Sequence, residues 1–142
     1  MQASGASMTV KPATLFDAFL HSCDTYPDRI AFIYRAVGEE FEVSYHKLFE
    51  DVLLLARAFD EKRIGKGSKV LLLSDNRYGW IVTDLALIAL GAVSVPRGSD
   101  TPSQELDYIM RHSGCEFLIT ETEELLERHL AVIDDLPDLK IR

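Results

Sequence analysis

Residues 68–97 read SKVLLLSDNRYGWIVTDLALIALGAVSVPR, and the fold class rests on this stretch. Val70-Leu71-Leu72-Leu73 is a short apolar run between polar flanks, the pattern of a strand buried on both faces. Asn76 is placed to cap a following helix, in which Trp80, Ile81, Val82, Leu85, Leu87, Ile88 and Leu90 leave almost no polar face. A helix that is apolar all round is buried inside a larger body. Gly91 ends it, and Ala92 to Val95 reads as a second strand before Pro96. Strand, helix and strand in this order imply parallel neighbours joined by a crossover.

The pattern extends in both directions. Upstream, Leu15, Phe16, Phe19 and Leu20 lie at helical spacing between Ala13 and Tyr26, with Thr14 three residues before Asp17 as a capping pair. Pro27 stops that helix. Ile30 to Arg35 reads as a strand, Gly38 with Glu39 and Glu40 as a turn, and Phe41, Val43 and Tyr45 as alternating residues of a hairpin partner. Ser44 caps a helix to about Lys62, whose apolar face is Leu48, Val52, Leu55, Ala56 and Phe59. Downstream, Thr101-Pro102-Ser103-Gln104 signals a helix start, with Thr101 as cap and Pro102 at the first helical position. That helix runs to about His112, and Gly114 follows. Phe117 to Ile119 is a strand, Thr120 or Thr122 caps a helix to about Ile133, and Leu139 to Arg142 reads as the start of a further strand. The expectation is an α/β fold: a mainly parallel sheet with helices on both faces, preceded by a β-hairpin.

Composition narrows the function classes. Lys and Arg number 15 against 23 Asp and Glu in 142 residues, a formal charge of −8. A pI near 4.9 argues against a nucleic-acid binder, which needs a basic face to neutralise phosphates. Residues 78–96 come nearest to a membrane span. Asp84 at their centre would cost roughly 3 kcal/mol in lipid, and a helix over 77–90 covers only about 20 Å of a roughly 30 Å hydrocarbon core. Cys23 and Cys115 stand far apart, and Met1 to Thr9 lacks the apolar run of a signal peptide. Both features point to a reducing cytoplasm.

Most chemical motifs fail on context. Gly65-Lys66-Gly67-Ser68-Lys69 has the residue types of a phosphate loop but leads into a strand, whereas a phosphate loop opens a helix. His21, His46, His112 and His129 form no pair at ligand spacing, so no metal is expected. Cys115 has no identifiable base, and Glu121 to Glu124 read as the first turn of a helix, where negative charge suits the dipole. No catalytic residue is assigned. Arg97-Gly98-Ser99-Asp100 remains: it follows a strand and precedes a helix, the place where open α/β sheets bind ligands. Arg97 offers positive charge there, and Gly98 lets a ligand approach the backbone.

The ordered motifs Ser44-Tyr45-His46-Lys47-Leu48, Gly65 to Val70, Asn76 to Trp80 and Leu85 to Pro96 resemble the N-terminal part of the adenylate-forming enzymes, the AMP-binding and acyl-CoA synthetase superfamily. The resemblance covers residues 12–142, with 1–11 as a flexible leader. The run through Asn76-Arg77 and Trp80 to Ala86 is most similar to long-chain fatty acyl-CoA synthetases. Lys47 and Ser68 depart from the family's usual Glu and Asp, and Arg97 to Asp100 departs from its usual continuation after Val-Pro. The family's phosphate loop, adenine and metal motif, ribose-binding Asp and C-terminal Lys would all lie beyond Arg142. The resemblance therefore implies the leading fragment of an ATP-dependent fatty acid–CoA ligase, inactive by itself and prone to self-association. Its parent would use fatty acid, ATP, Mg²⁺ and coenzyme A. The loop Arg97, Gly98 and Ser99, together with Arg128, would lie near the coenzyme A channel. The remaining alternatives are an acyl-carrier-protein ligase, an aryl-CoA ligase, a peptide-synthetase adenylation domain, or a non-catalytic binding or scaffold module.

Overall fold

Thr14 opens the first helix with a reciprocal cap. Its hydroxyl accepts from the Asp17 N–H and its own N–H donates to the Asp17 carboxylate, both at 3.0 Å. The computed structural model describes residues 12–136 and 139. Helix α1 (Leu15–Thr25) precedes an antiparallel hairpin of β1 (Ile30–Ala36) and β2 (Glu39–Ser44). Ser44 caps α2 (Tyr45–Glu61) by accepting from the Lys47 N–H at 3.2 Å. There follow β3 (Lys69–Leu73), α3 (Tyr78–Ala89), β4 (Val93–Arg97), α4 (Ser103–Ser113), β5 (Phe117–Thr120), α5 (Glu123–Arg128) and α6 (Leu130–Asp134).

The second sheet is parallel, in the order β4-β3-β5, with Leu71 level with Val95 on one side and Leu118 on the other. The central strand is sealed: Val70, Leu71 and Leu73 are fully buried and Leu72 nearly so. Side-chain alternation divides it between two cores. Val70 and Phe117 pack with Leu48, Val52, Phe59, Val82 and Leu87 of α2 and α3. Leu71, Leu73 and Leu118 pack with Leu106, Met110, Leu125 and Ile133 of α4, α5 and α6. Helices thus cover both faces, as the alternation predicts. Each fully buried leucine contributes about 2 kcal/mol of apolar transfer.

Several boundaries differ from expectation. The hairpin turn is Val37-Gly38, both at positive φ, and Glu39 and Glu40 belong to β2. Tyr45 opens α2 instead of ending the strand. Arg77, not Asn76, occupies the cap of α3, without a side-chain bond. The start of α4 falls after Pro102, and the Thr101 hydroxyl donates back to the Gly98 carbonyl at 2.9 Å with no capping bond to the helix. Thr122 caps α5 as expected, but a break at His129 divides the segment into two short helices. Leu139 lies in no strand and packs against the α4 side of the sheet; residues 1–11 and 140–142 lie outside the described residues. No helix among the described residues is long and apolar enough to cross a membrane.

Candidate functional site

Because β4, β3 and β5 are parallel, their carboxyl ends finish along one edge of the sheet. The ladder continues one residue past the strands: Ser74 N–H donates to Arg97 O at 3.0 Å and Glu121 N–H to Leu73 O at 3.2 Å. Three loops therefore emerge side by side, and they are cross-linked by two carboxylates. One oxygen of Glu121 accepts from the Ser74 hydroxyl and the Asp75 N–H, each at 2.8 Å. Its other oxygen meets the Arg77 guanidinium at 3.0 Å, and the side chain is only 11% exposed. Oδ1 of Asp75 accepts from the Ser99 N–H at 3.2 Å and from the Ser99 hydroxyl. These two donors, with Arg77 nearby, hold the Asp75 carboxyl below the usual carboxylate range.

Trp80, on the first turn of α3, lines two clefts at this edge. One, of about 290 Å³, runs down to Leu72, Thr83 and Ile119 beside Glu121. The other, of about 360 Å³, is bordered by Ser74, Asp75, Pro96, Arg97 and Gly98.

Each residue singled out from sequence has a definite place here. Arg97 and Gly98 border the larger cleft, and Arg97 folds back to donate to the Pro96 carbonyl at 2.6 Å. Gly98 has no need of a left-handed backbone. A Cβ there would lie 2.7 Å from the Asp100 carboxylate, a side chain that can swing aside. Ser99 turns inward to Asp75 and is not presented to the cleft. Arg128, from α5, reaches the Ser99 carbonyl at 3.3 Å, so the structure brings it to the same loop. Asp75, Glu121 and Trp80 were missed as site residues. Position was the available signal, since Asp75 lies two residues past the end of β3 and Glu121 directly follows β5. Glu121 is not in the first turn of α5, which is supplied by Glu123 and Glu124.

The other candidates recede. Gly65 to Ser68 is a plain turn closed by Gly65 N–H on the Ser68 hydroxyl at 3.1 Å. Burial raises both thiols, Cys23 and Cys115, which opposes thiolate chemistry at neutral pH. Among the described residues, no group of three His, Cys, Asp or Glu side chains could hold a metal ion.

Residues 19–141 match the AMP-binding enzyme family. The chain belongs to that family. Among its relatives is a chloroplastic long-chain-fatty-acid–[acyl-carrier-protein] ligase of Arabidopsis thaliana, 30% identical over 79% of this chain and 15% of that protein. A medium/long-chain-fatty-acid–CoA/3-oxocholest-4-en-26-oate–CoA ligase of Mycobacterium marinum is 31% identical over 84% of this chain and 21% of its own length. Bacitracin synthase 1 of Bacillus licheniformis is 28% identical over 82% of this chain and 2% of its own. Among solved structures, the N-terminal subdomain of Klebsiella oxytoca NpsA superposes with a TM-score of 0.71 at 26% identity, covering 77% of this chain and 28% of that one. The chain spans well under two thirds of the length of these AMP-binding relatives. In these relatives the matching region is one part of a longer chain.

Proposed function

We propose that these residues form the leading part of an ATP-dependent ligase that activates a medium- or long-chain fatty acid and transfers it to coenzyme A. The observation that carries this reading is the family match over residues 19–141, with fatty-acid ligases among the relatives at 30% and 31% identity. In the first half-reaction a carboxylate oxygen attacks the α-phosphorus of ATP and pyrophosphate leaves. In the second, the coenzyme A sulfur attacks the acyl carbon, the thiol proton is lost, and AMP departs with the electron pair of the broken acyl–oxygen bond.

In this proposal the described residues serve the second step. The Arg97–Gly98 loop borders an open cleft of about 360 Å³ at the carboxyl edge, where a narrow chain could enter. Arg97 and Arg128 carry positive charge toward the phosphates of coenzyme A. Magnesium, which neutralises charge on ATP in such chemistry, would be held by residues other than those described. The free thiols Cys23 and Cys115 accord with a cytoplasmic setting. A second reading, an adenylation module that hands its acyl group to a carrier protein, draws support from the Arabidopsis carrier-protein ligase and from bacitracin synthase 1.

Pyrophosphate exchange by the intact protein with fatty acids, aryl acids and amino acids tests the substrate class, and thioester formation with coenzyme A against a carrier protein tests the acceptor. Fatty-acid-dependent exchange and acyl-CoA are the expected products. Exchange driven by amino acids alone would replace this reading with a peptide-synthetase one, and no exchange at all would favour a scaffold module. A polypeptide of only these 142 residues should show no exchange above a no-protein control.

A further inference from the structure

Four hydrogen-bonded links cross the carboxyl edge of the sheet in sequence. Glu121 holds the Asp75 N–H at 2.8 Å, Asp75 holds both donors of Ser99, and the Ser99 carbonyl receives Arg128 at 3.3 Å. The chain of bonds begins at the end of β5, passes the end of β3, and terminates in the loop after β4. Glu121 is anchored independently by Ser74 and Arg77, so the Asp75 backbone is fixed before its carboxylate meets the loop. Gly98 sits immediately before the Ser99 amide that Asp75 captures, and its carbonyl is closed by Thr101 through both hydroxyl and N–H.

We propose that Asp75 is a positioning residue for the thiol-acceptor step: by holding Ser99 at its amide and hydroxyl, it sets the Arg97–Gly98 wall of the cleft that it also borders. The inference rests on the reading of that loop as a border of the coenzyme A channel. An ionised acceptor bound to two donors of one residue fixes the residue's orientation as well as its place, and bonds to a charged group are the stronger kind. Positioning of this sort matters because small displacements of a channel wall cost reactivity out of proportion to their size.

The test uses the intact ligase with three variants. Asp75→Ala should speed hydrogen exchange at the Ser99 amide about tenfold or more and raise the coenzyme A KM about tenfold, while pyrophosphate exchange stays within about twofold. Asp75→Asn keeps an acceptor oxygen at the same point and should restore both readouts to within about threefold of the parent. Gly98→Trp displaces the Asp100 carboxylate and puts a bulky ring at the border of the cleft, and should stop thioester formation while adenylate still forms. Unchanged Ser99 exchange in Asp75→Ala overturns the proposal, as does equal loss of both half-reactions. A normal coenzyme A KM in Asp75→Ala, with thioester formation blocked in Gly98→Trp, removes the role of Asp75 and leaves the channel reading standing. Normal thioester formation in Gly98→Trp defeats the channel reading and the proposal with it.

Discussion

His129 is 1% exposed, at the break between α5 and α6, with Nδ1 2.9 Å from the Ser103 hydroxyl and no protein partner for Nε2. Burial, and then the neighbouring Arg128, push its pKa below the ordinary 6.5. The unfolded chain therefore takes up a proton at a higher pH than the folded one. The stability that neutral His129 contributes is complete above pH about 7 and is lost as pH falls through 6.5 toward the lower folded value. Denaturant unfolding at pH 7.5 and at pH 5.5 should show a drop in stability that is smaller in His129→Gln, which cannot titrate. Equal drops in both proteins would show that His129 is not the group responsible. Nothing in the sequence separated this histidine from the exposed His46 and His112, because its burial arises from the fold, which sets the α5–α6 break against Ser103 of α4. Glu121 was hidden for the same reason: its role depends on β3 and β5 lying side by side, a pairing of residues 46 or more positions apart.

The β1–β2 hairpin turns through Val37 at φ +52° and Gly38 at φ +82°, a two-residue loop with both residues left-handed. Such loops favour Asn-Gly, since a β-branched residue in that region crowds its own backbone at a cost of roughly 1–2 kcal/mol. Val37 is fully exposed, so replacing it removes no packing. Val37→Asn should therefore stabilise the protein by about 1 kcal/mol and raise Tm by about 4 °C. Calorimetry decides the point, and an unchanged or lower Tm would mean that the hairpin unfolds separately from the rest. Local chemistry made most elements readable. The Thr14, Ser44 and Thr122 caps, Pro27 as a stop and Gly114 after α4 all work as their residue types suggest. Where an element boundary was misplaced, a competing hydrogen bond or turn had the stronger claim. Thr101 satisfies the Gly98 carbonyl instead of capping α4, and the tight turn at Val37-Gly38 leaves the following glutamates free to enter β2.

At the scale of the whole molecule, the parallel sheet stops at β5, which has β3 on one side only among the described residues. An apolar cleft of about 280 Å³ lies along this flank, lined by Phe59, Ile64, Phe117, Ile119 and Leu126. On the opposite flank β4 is also an edge, with Val93 46% exposed. Unpaired strand edges beside apolar side chains are templates for pairing with another strand. In a polypeptide of these 142 residues the simplest partner is a second copy, joined edge to edge about a two-fold axis. The charge of −8 opposes close approach, but screening limits that repulsion to about 8 Å at physiological salt. Sedimentation of the 142-residue polypeptide over a concentration series should therefore show a monomer–dimer equilibrium that strengthens with added salt. Ile119→Lys places a charge in the cleft beside β5 and should shift the equilibrium toward monomer, with some loss of thermal stability because Ile119 packs against the core. A strict monomer at high micromolar concentration, with no binding of a hydrophobic dye, would show that both edges are protected as they stand. Dimerisation that Ile119→Lys leaves untouched would instead place the contact elsewhere, with the β4 edge the next to test.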